Sequence, residues 1–195
     1  MPRPSPPISL ILFSFLATTA CSSTMDTPAL NPHPTQRYEL TVTANAPGPW
    51  DKVSASVTYA IRNTECTPKN RFMGVHELPD DVNHTITLTR VDAHTYTGYF
   101  YRDLLQGGDY YGLGFCHWDV KAVGPSFAIH KLSFTSGMSF NEALSTKPVT
   151  QYFRKKEYLD HSMNDENAGA AMLSNTEDTP GEWFPVTMTV REIKP

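Results

Sequence analysis

The 195-residue chain has only three cysteines, and none of its apolar runs reaches the ~18 residues that a membrane-crossing helix needs. It also lacks an excess of positive charge. Sixteen basic against twenty acidic residues leave a formal charge of −4, which argues against the basic surface of a nucleic-acid binder. Eleven glycines and sixteen prolines show no period, so collagen-like and low-complexity architectures are excluded. No internal repeat is present. Together these shortages predict a soluble, compact, mildly acidic chain of one domain, or one domain plus a tail.

Catalytic signatures are missing too. There is no G-x-S-x-G, the strand–turn–helix that exposes a hydrolase serine. His76-Glu77 opens like a zinc-protease motif, but the second histidine is replaced by Asp80, and Pro79 would break the helix such ligands share. Asp80-Asp81 and Asp165-Glu166 read as solvated turn residues and match no calcium loop. Asn83-His84-Thr85 matches a glycosylation sequon. No metal or cofactor is expected, and the chain is read as a non-enzyme.

What the sequence does contain starts at its first residue. Arg3 and the amino terminus form a short positive region, and Ile8–Ala17 supplies the apolar core of an export signal. Thr18, Thr19 and Ala20 then lead into Cys21. The spacing looks like a bacterial lipobox, with Thr18 where leucine is usual, and Cys21 is expected to be lipidated and to become the first mature residue. The alternative is an ordinary signal cut after Ala20. One acyl chain retains a protein only marginally, whereas two or three hold it on its membrane. Ser22 follows the cysteine, where aspartate would favour inner-membrane retention in lipoproteins at large. The expected location is therefore the cell envelope, facing the periplasm, at the outer membrane. Residues 1–20 are read as the signal, 21–36 as a lipidated flexible tether with Pro28, Pro32 and Pro34, and 37–195 as the domain.

Lipidation of Cys21 makes the remaining cysteines even. Cys66 and Cys116 are expected to bond in an oxidising compartment, the alternative being two unrelated buried thiols.

Within the domain, strand-period alternation marks Tyr38–Ala44, Val53–Ile61 and Trp183–Ile193. Ile86 and Leu88 mark a third strand, Thr95–Arg102 a fourth, Tyr110–Val120 a fifth, with Gly112 and Gly114 allowing a bulge, and Pro125–Thr135 a sixth. Ala46–Trp50 reads as a turn. Ser139-Phe-Asn-Glu142 has capping-box spacing and predicts a helix of about two turns, and Lys155–His161 a further turn. Residues 162–181 form a long polar loop without periodicity. The fold expected is all-β, an antiparallel sandwich of immunoglobulin-like architecture with seven or eight strands and one or two short helices.

Two groups of residues are candidates for binding. In Cys116-His-Trp-Asp119, alternation places Trp118 with Cys116 on one face and His117 with Phe115 on the other. Trp118 then packs beside the disulfide. A catalytic His117–Asp119 pair would need spatial partners that sequence does not supply. Tyr99, Tyr101, Tyr110 and Tyr111 sit in an aromatic stretch that suits either a partner-binding surface or the rim of a sheet core.

The stretch running Asn63-Thr-Glu-Cys66, Thr95-Tyr-Thr-Gly98 and Asp109-Tyr-Tyr-Gly-Leu-Gly-Phe-Cys-His-Trp118 resembles a group of small proteobacterial lipoproteins, some encoded beside lipase-type toxins of the type VI secretion system. The resemblance covers residues 37–155. It implies an immunity protein that waits in the periplasm and neutralises an incoming phospholipase by binding it. The implied partners are a cognate lipase toxin and the membrane that holds the anchor. Only Cys21, Cys66 and Cys116 receive roles from it. A structural, assembly or ligand-binding lipoprotein of the envelope is the alternative.

Overall fold

Alternating side chains along Arg37–Ala44 send Tyr38, Leu40, Val42 and Ala44 inward and leave the residues between them half-exposed, so this segment forms strand β1. The computed structural model describes residues 28–145, 147–160, 162, 168 and 181–194. The expected signal, Cys21, Asp165-Glu166 and most of the 162–181 loop lie outside the described residues.

Among the described residues, ten strands build two antiparallel sheets. In the first, β1 is central, flanked by β5 (Thr95–Tyr101) and β10 (Trp183–Ile193), with β4 (Leu88–Arg90) and β9 (Val149–Arg154) at the edges. In the second, β2 (Lys52–Ile61) and β6 (Trp118–Ile129) are central. β3 (Val82–Ile86) borders β2, while β7 (Leu132–Thr135) and β8 (Met138–Ser139) border β6 in succession. The all-β sandwich expected from the sequence is the fold observed, with more strands than the seven or eight anticipated.

Several segments differ from expectation for identifiable reasons. Ile86 and Leu88 belong to two strands, not one. The chain crosses between sheets at Thr87, so β3 pairs with β2 and β4 with β5. Tyr110–Phe115 is a loop, not the start of a strand. Gly112 and Gly114 take φ of 69° and 117°, and the Asp109 carboxylate accepts from the Leu113 and Gly114 N–H groups. Pro125 does not begin a strand. It lies inside β6, opposite Ala55. Its carbonyl accepts from Ser136 N, so its missing N–H faces the gap between β7 and β8, where no ladder bond is lost. Strand β9 had no alternating signal and was not expected from sequence.

The capping box is present: Ser139 Oγ accepts from Glu142 N, and the Glu142 carboxylate accepts from Ser139 N. The helix it starts, α1 (Phe140–Leu144), is one short turn, not two. A second, α2 (Lys155–Leu159), sits at the expected further turn.

The two ends of the sandwich are closed differently. Trp50, from the predicted turn, plugs one end with its ring 5.0 Å from Phe127, 5.3 Å from Phe134 and 5.1 Å from Tyr158. The Tyr158 hydroxyl donates to the Pro49 carbonyl there. At the other end run the loops between β2 and β3 and between β5 and β6, joined by the Cys66–Cys116 disulfide with Cα atoms 5.3 Å apart. That pairing is the one expected from the cysteine count.

Residues 28–36 are not a free tether. Leu30 bridges Leu105, Asn31 N donates to Leu104 O, and Gln106 N donates to Ala29 O. The described chain therefore begins at the disulfide end.

Candidate functional site

The disulfide end gathers most of the residues singled out from sequence. Asn63, at the close of β2, holds both loops. Its side-chain nitrogen donates to Phe115 O (2.8 Å), and its side-chain oxygen accepts from His117 N (2.7 Å). Cys116 is fully buried and bridges Gly108, while Phe115 and His117 alternate outward with ring centroids 4.9 Å apart. The alternation predicted across Phe115–Trp118 thus survives outside a regular ladder. Trp118 points inward and is only 8% exposed, and its indole N–H has no partner among the described residues.

A cleft of about 700 Å3 opens beside these loops, lined by Arg62, Asn63, Glu65, Arg102, Asp103, His117, Trp118 and Asp119 among others. Two of its charged groups, Arg102 and Asp119, are committed to each other. Arg102 grips Asp119 in a two-pronged pair, Nε to Oδ1 and Nη2 to Oδ2, both 2.7 Å. Asp119 also accepts from Val120 N at 2.8 Å and from Arg62 at 3.4 Å. Asp103 accepts from Thr35 N, Thr35 Oγ1 and Gln36 N, which pins the chain ahead of β1. Asp119 is therefore the partner of Arg102, and no bond to His117 is recorded among the described residues. The His117–Asp119 arrangement considered from sequence is not assembled as a hydrogen-bonded pair.

These contacts set a pH dependence. Burial pushes the Asp119 carboxyl up, but hydrogen bonds from Arg102 and Val120 and the nearby guanidinium charges outweigh it, so its pKa is lowered. Asp103 is lowered by the same balance, burial against the Thr35 and Gln36 hydrogen bonds. A carboxylate depressed in the folded state stabilises the fold above its unfolded pKa, about 3.9. That contribution is lost as pH falls through the lower folded value. Unfolding free energy should therefore decline from about pH 4–5 downward. Asp119→Asn keeps the shape, should cost about 1–3 kcal/mol at neutral pH, and should flatten this acid limb. Urea titrations from pH 3 to 7 check it, and an unchanged acid limb in the variant would exclude Asp119 as its source.

The tyrosines divide. Tyr99 is exposed on the outer face of β5, with the Arg37 guanidinium 4.0 Å from its ring centroid. Tyr101 is half-buried, and its carbonyl receives the hydroxyl of buried Tyr59, whose pKa is raised mainly by desolvation. Tyr110 and Tyr111 pack against the core, and Tyr110 donates to Gln106 O at 2.6 Å. Tyr99 alone of the four is exposed. The set does not form one continuous aromatic face.

Sequence reasoning missed the segment between Cys66 and Leu78. Thr67 Oγ1 donates to Thr64 O, and Lys69 bridges His76. The Asn70 side-chain oxygen accepts from Phe72 N and Met73 N, and Gly74, with φ of 74°, turns the chain back. The His76 ring donates through Nδ1 to Thr67 O at 3.0 Å, an assignment taken from the network, so this histidine is structural. The result is an ordered tip that leaves Phe72 99% exposed and Met73 66% exposed. Leu113 and Phe115, each 54% exposed, stand on the companion loop. The signal available in sequence was an apolar Phe-Met pair inside a polar loop with no alternation around it.

Among the described residues no group of three or more His, Cys, Asp or Glu side chains is placed to hold a metal ion, and no helix is long and apolar enough to cross a membrane. Comparison of the chain with models of protein families, with curated proteins and with solved structures gives no match.

Proposed function

We propose that the protein is a periplasmic, membrane-anchored immunity lipoprotein that binds and neutralises a phospholipase-type toxin of the type VI secretion system. The lipoprotein resemblance supplies the class of partner. The observation that carries the binding role is the pair of disulfide-joined loops, which hold Leu113, Phe115 and His117 exposed on a rigid frame beside the charged cleft. Inhibitory binding favours this arrangement. Exposed apolar anchors surrounded by polar groups give contact area, and a frame already ordered before binding reduces the entropy lost on association. Three charged groups of the cleft support the same reading, because Asp119 and Arg102 hold each other and Asp103 holds the chain ahead of β1.

The test is co-expression of a lipase-type toxin of the cognate class, directed to the periplasm, with and without this protein. Survival only in its presence, together with co-purification of the two, is the expected result. A Leu113→Asp/Phe115→Asp variant should weaken binding about thirtyfold, the value of a 2 kcal/mol hot spot, and should lose protection. Equal killing in both cultures without co-purification would refute the reading.

A further inference from the structure

The ordered tip at Phe72 and Met73 is set apart from the Leu113–Phe115 loop by its charge. Lys69 and Arg71 lead into it, both exposed, and neither forms an ion pair among the described residues. Of the acidic side chains in this loop, Glu77 accepts from Asn70, and Asp81 is held by Lys121 at 2.6 Å. An exposed phenylalanine and methionine directly after two unpaired cations suit a segment that enters the boundary between headgroups and acyl chains.

The path of the amino-terminal chain supports the same partner. Residues 28–31 run along Leu104–Gln106, and Gly108 of that loop bridges Cys116. The chain thus leaves the described fold at the end that carries the tip. Cys21 stands seven residues before Pro28, a reach of at most roughly 25 Å when extended. A lipid on Cys21 would hold this end, and not the Trp50 end, against the bilayer.

We infer that the Arg71–Val75 tip is a second membrane contact, which dips Phe72 and Met73 into an anionic phospholipid surface and fixes the domain with its disulfide end toward the bilayer. The orientation rests on the lipid-anchor reading, whereas the affinity of the tip for lipid does not. A toxin working on phospholipid would then meet the Leu113–Phe115 loop close to the membrane.

The experiment separates the two. The mature chain, residues 21–195 carrying Cys21→Ser, is mixed with vesicles of phosphatidylethanolamine and phosphatidylglycerol and sedimented. It should bind, binding should fall as salt rises, and Phe72→Asp/Met73→Asp should reduce the partition coefficient about tenfold. Leu159→Asp makes the same kind of change at an exposed site on α2, at the opposite end, and should leave binding unchanged. Far-ultraviolet circular dichroism and thermal melts confirm that each variant is folded. No binding by the Cys21→Ser chain, or an equal loss in the Leu159→Asp variant, overturns the inference. So does a tip variant that keeps vesicle binding but no longer co-purifies with the toxin, which would assign the tip to the protein interface. The anchor is read separately, from radiolabelled palmitate incorporation that should be present in the natural chain and absent in Cys21→Ala.

Discussion

Replacing Cys66 and Cys116 together by alanine should lower the stability of the fold by about 4 kcal/mol, the chain-entropy value for a loop of this length. The disulfide closes a sequence separation of 50 residues, so opening it restores a large conformational freedom to the unfolded chain. Alanine is the informative substitute. Both sulfurs are buried, and a serine hydroxyl would add the separate cost of an unpaired polar group. At roughly 2–4 °C per kcal/mol for a domain of this size, the melting temperature should fall by about 8–16 °C. Reductant added to the natural protein should produce a similar shift. A double variant melting within about 2 °C of the natural chain would show that the loops are ordered without the cross-link. The local consequence is as specific as the global one. Asn63, Phe115 and His117 depend on the two loops staying in register, so loss of hydrogen-exchange protection at His117 N should precede global unfolding as reductant is raised.

Gly124→Ala should be among the most damaging single substitutions in the protein, at about 3 kcal/mol or more. A Cβ at this position would lie 2.1 Å from Ser136 O and 2.7 Å from Gly137 Cα. Both are backbone atoms, so no rotamer change relieves the contact, and β6 would have to separate from the β7–β8 junction. Gly137→Ala is the control. Its Cβ would find only Val123 O, at 4.0 Å, and the change should stay within about 1 kcal/mol. Chemical denaturation of the two variants side by side decides the matter. Equal stabilities would mean that the crossing adjusts at no cost. The same crossing explains why Pro125 is tolerated in the middle of a strand: its missing donor and the glycine before it both face an interruption in the neighbouring ladder.

The parts of the fold legible in the sequence are those where one face of a strand is buried and the other is not. β1, β2 and β10 show uninterrupted alternation and were found at or near their true limits. The Ser139–Glu142 cap was equally legible because its chemistry is local. The cysteine pair followed from parity and compartment. The errors fall where long-range geometry overrides local pattern. Thr87 lets the chain change sheets between two apolar residues of the same parity, a corner that periodicity reads as continuity. The Tyr110–Phe115 segment has aromatic composition suited to a strand, but two positive-φ glycines and the Asp109 carboxylate close it into a loop.

For the candidate site, the sequence by itself determined which residue types were available: a cysteine pair, an outward His117 beside an inward Trp118, and a cluster of tyrosines. The tertiary structure decided their roles. Asp119, next but one to His117 in the chain, is claimed by Arg102 and Arg62 because β5 ends and β6 begins on the same side of the sandwich, and electrostatic pairing across elements has no signature in linear spacing. Phe72 and Met73 carry no periodic signal at all. Their exposure follows from a turn built by the Asn70 side chain and Gly74. Burial patterns are written into alternation because water selects them along the whole strand. The direction in which a loop presents its side chains is set by a few hydrogen bonds and a cross-link between distant residues, and only the folded molecule contains those.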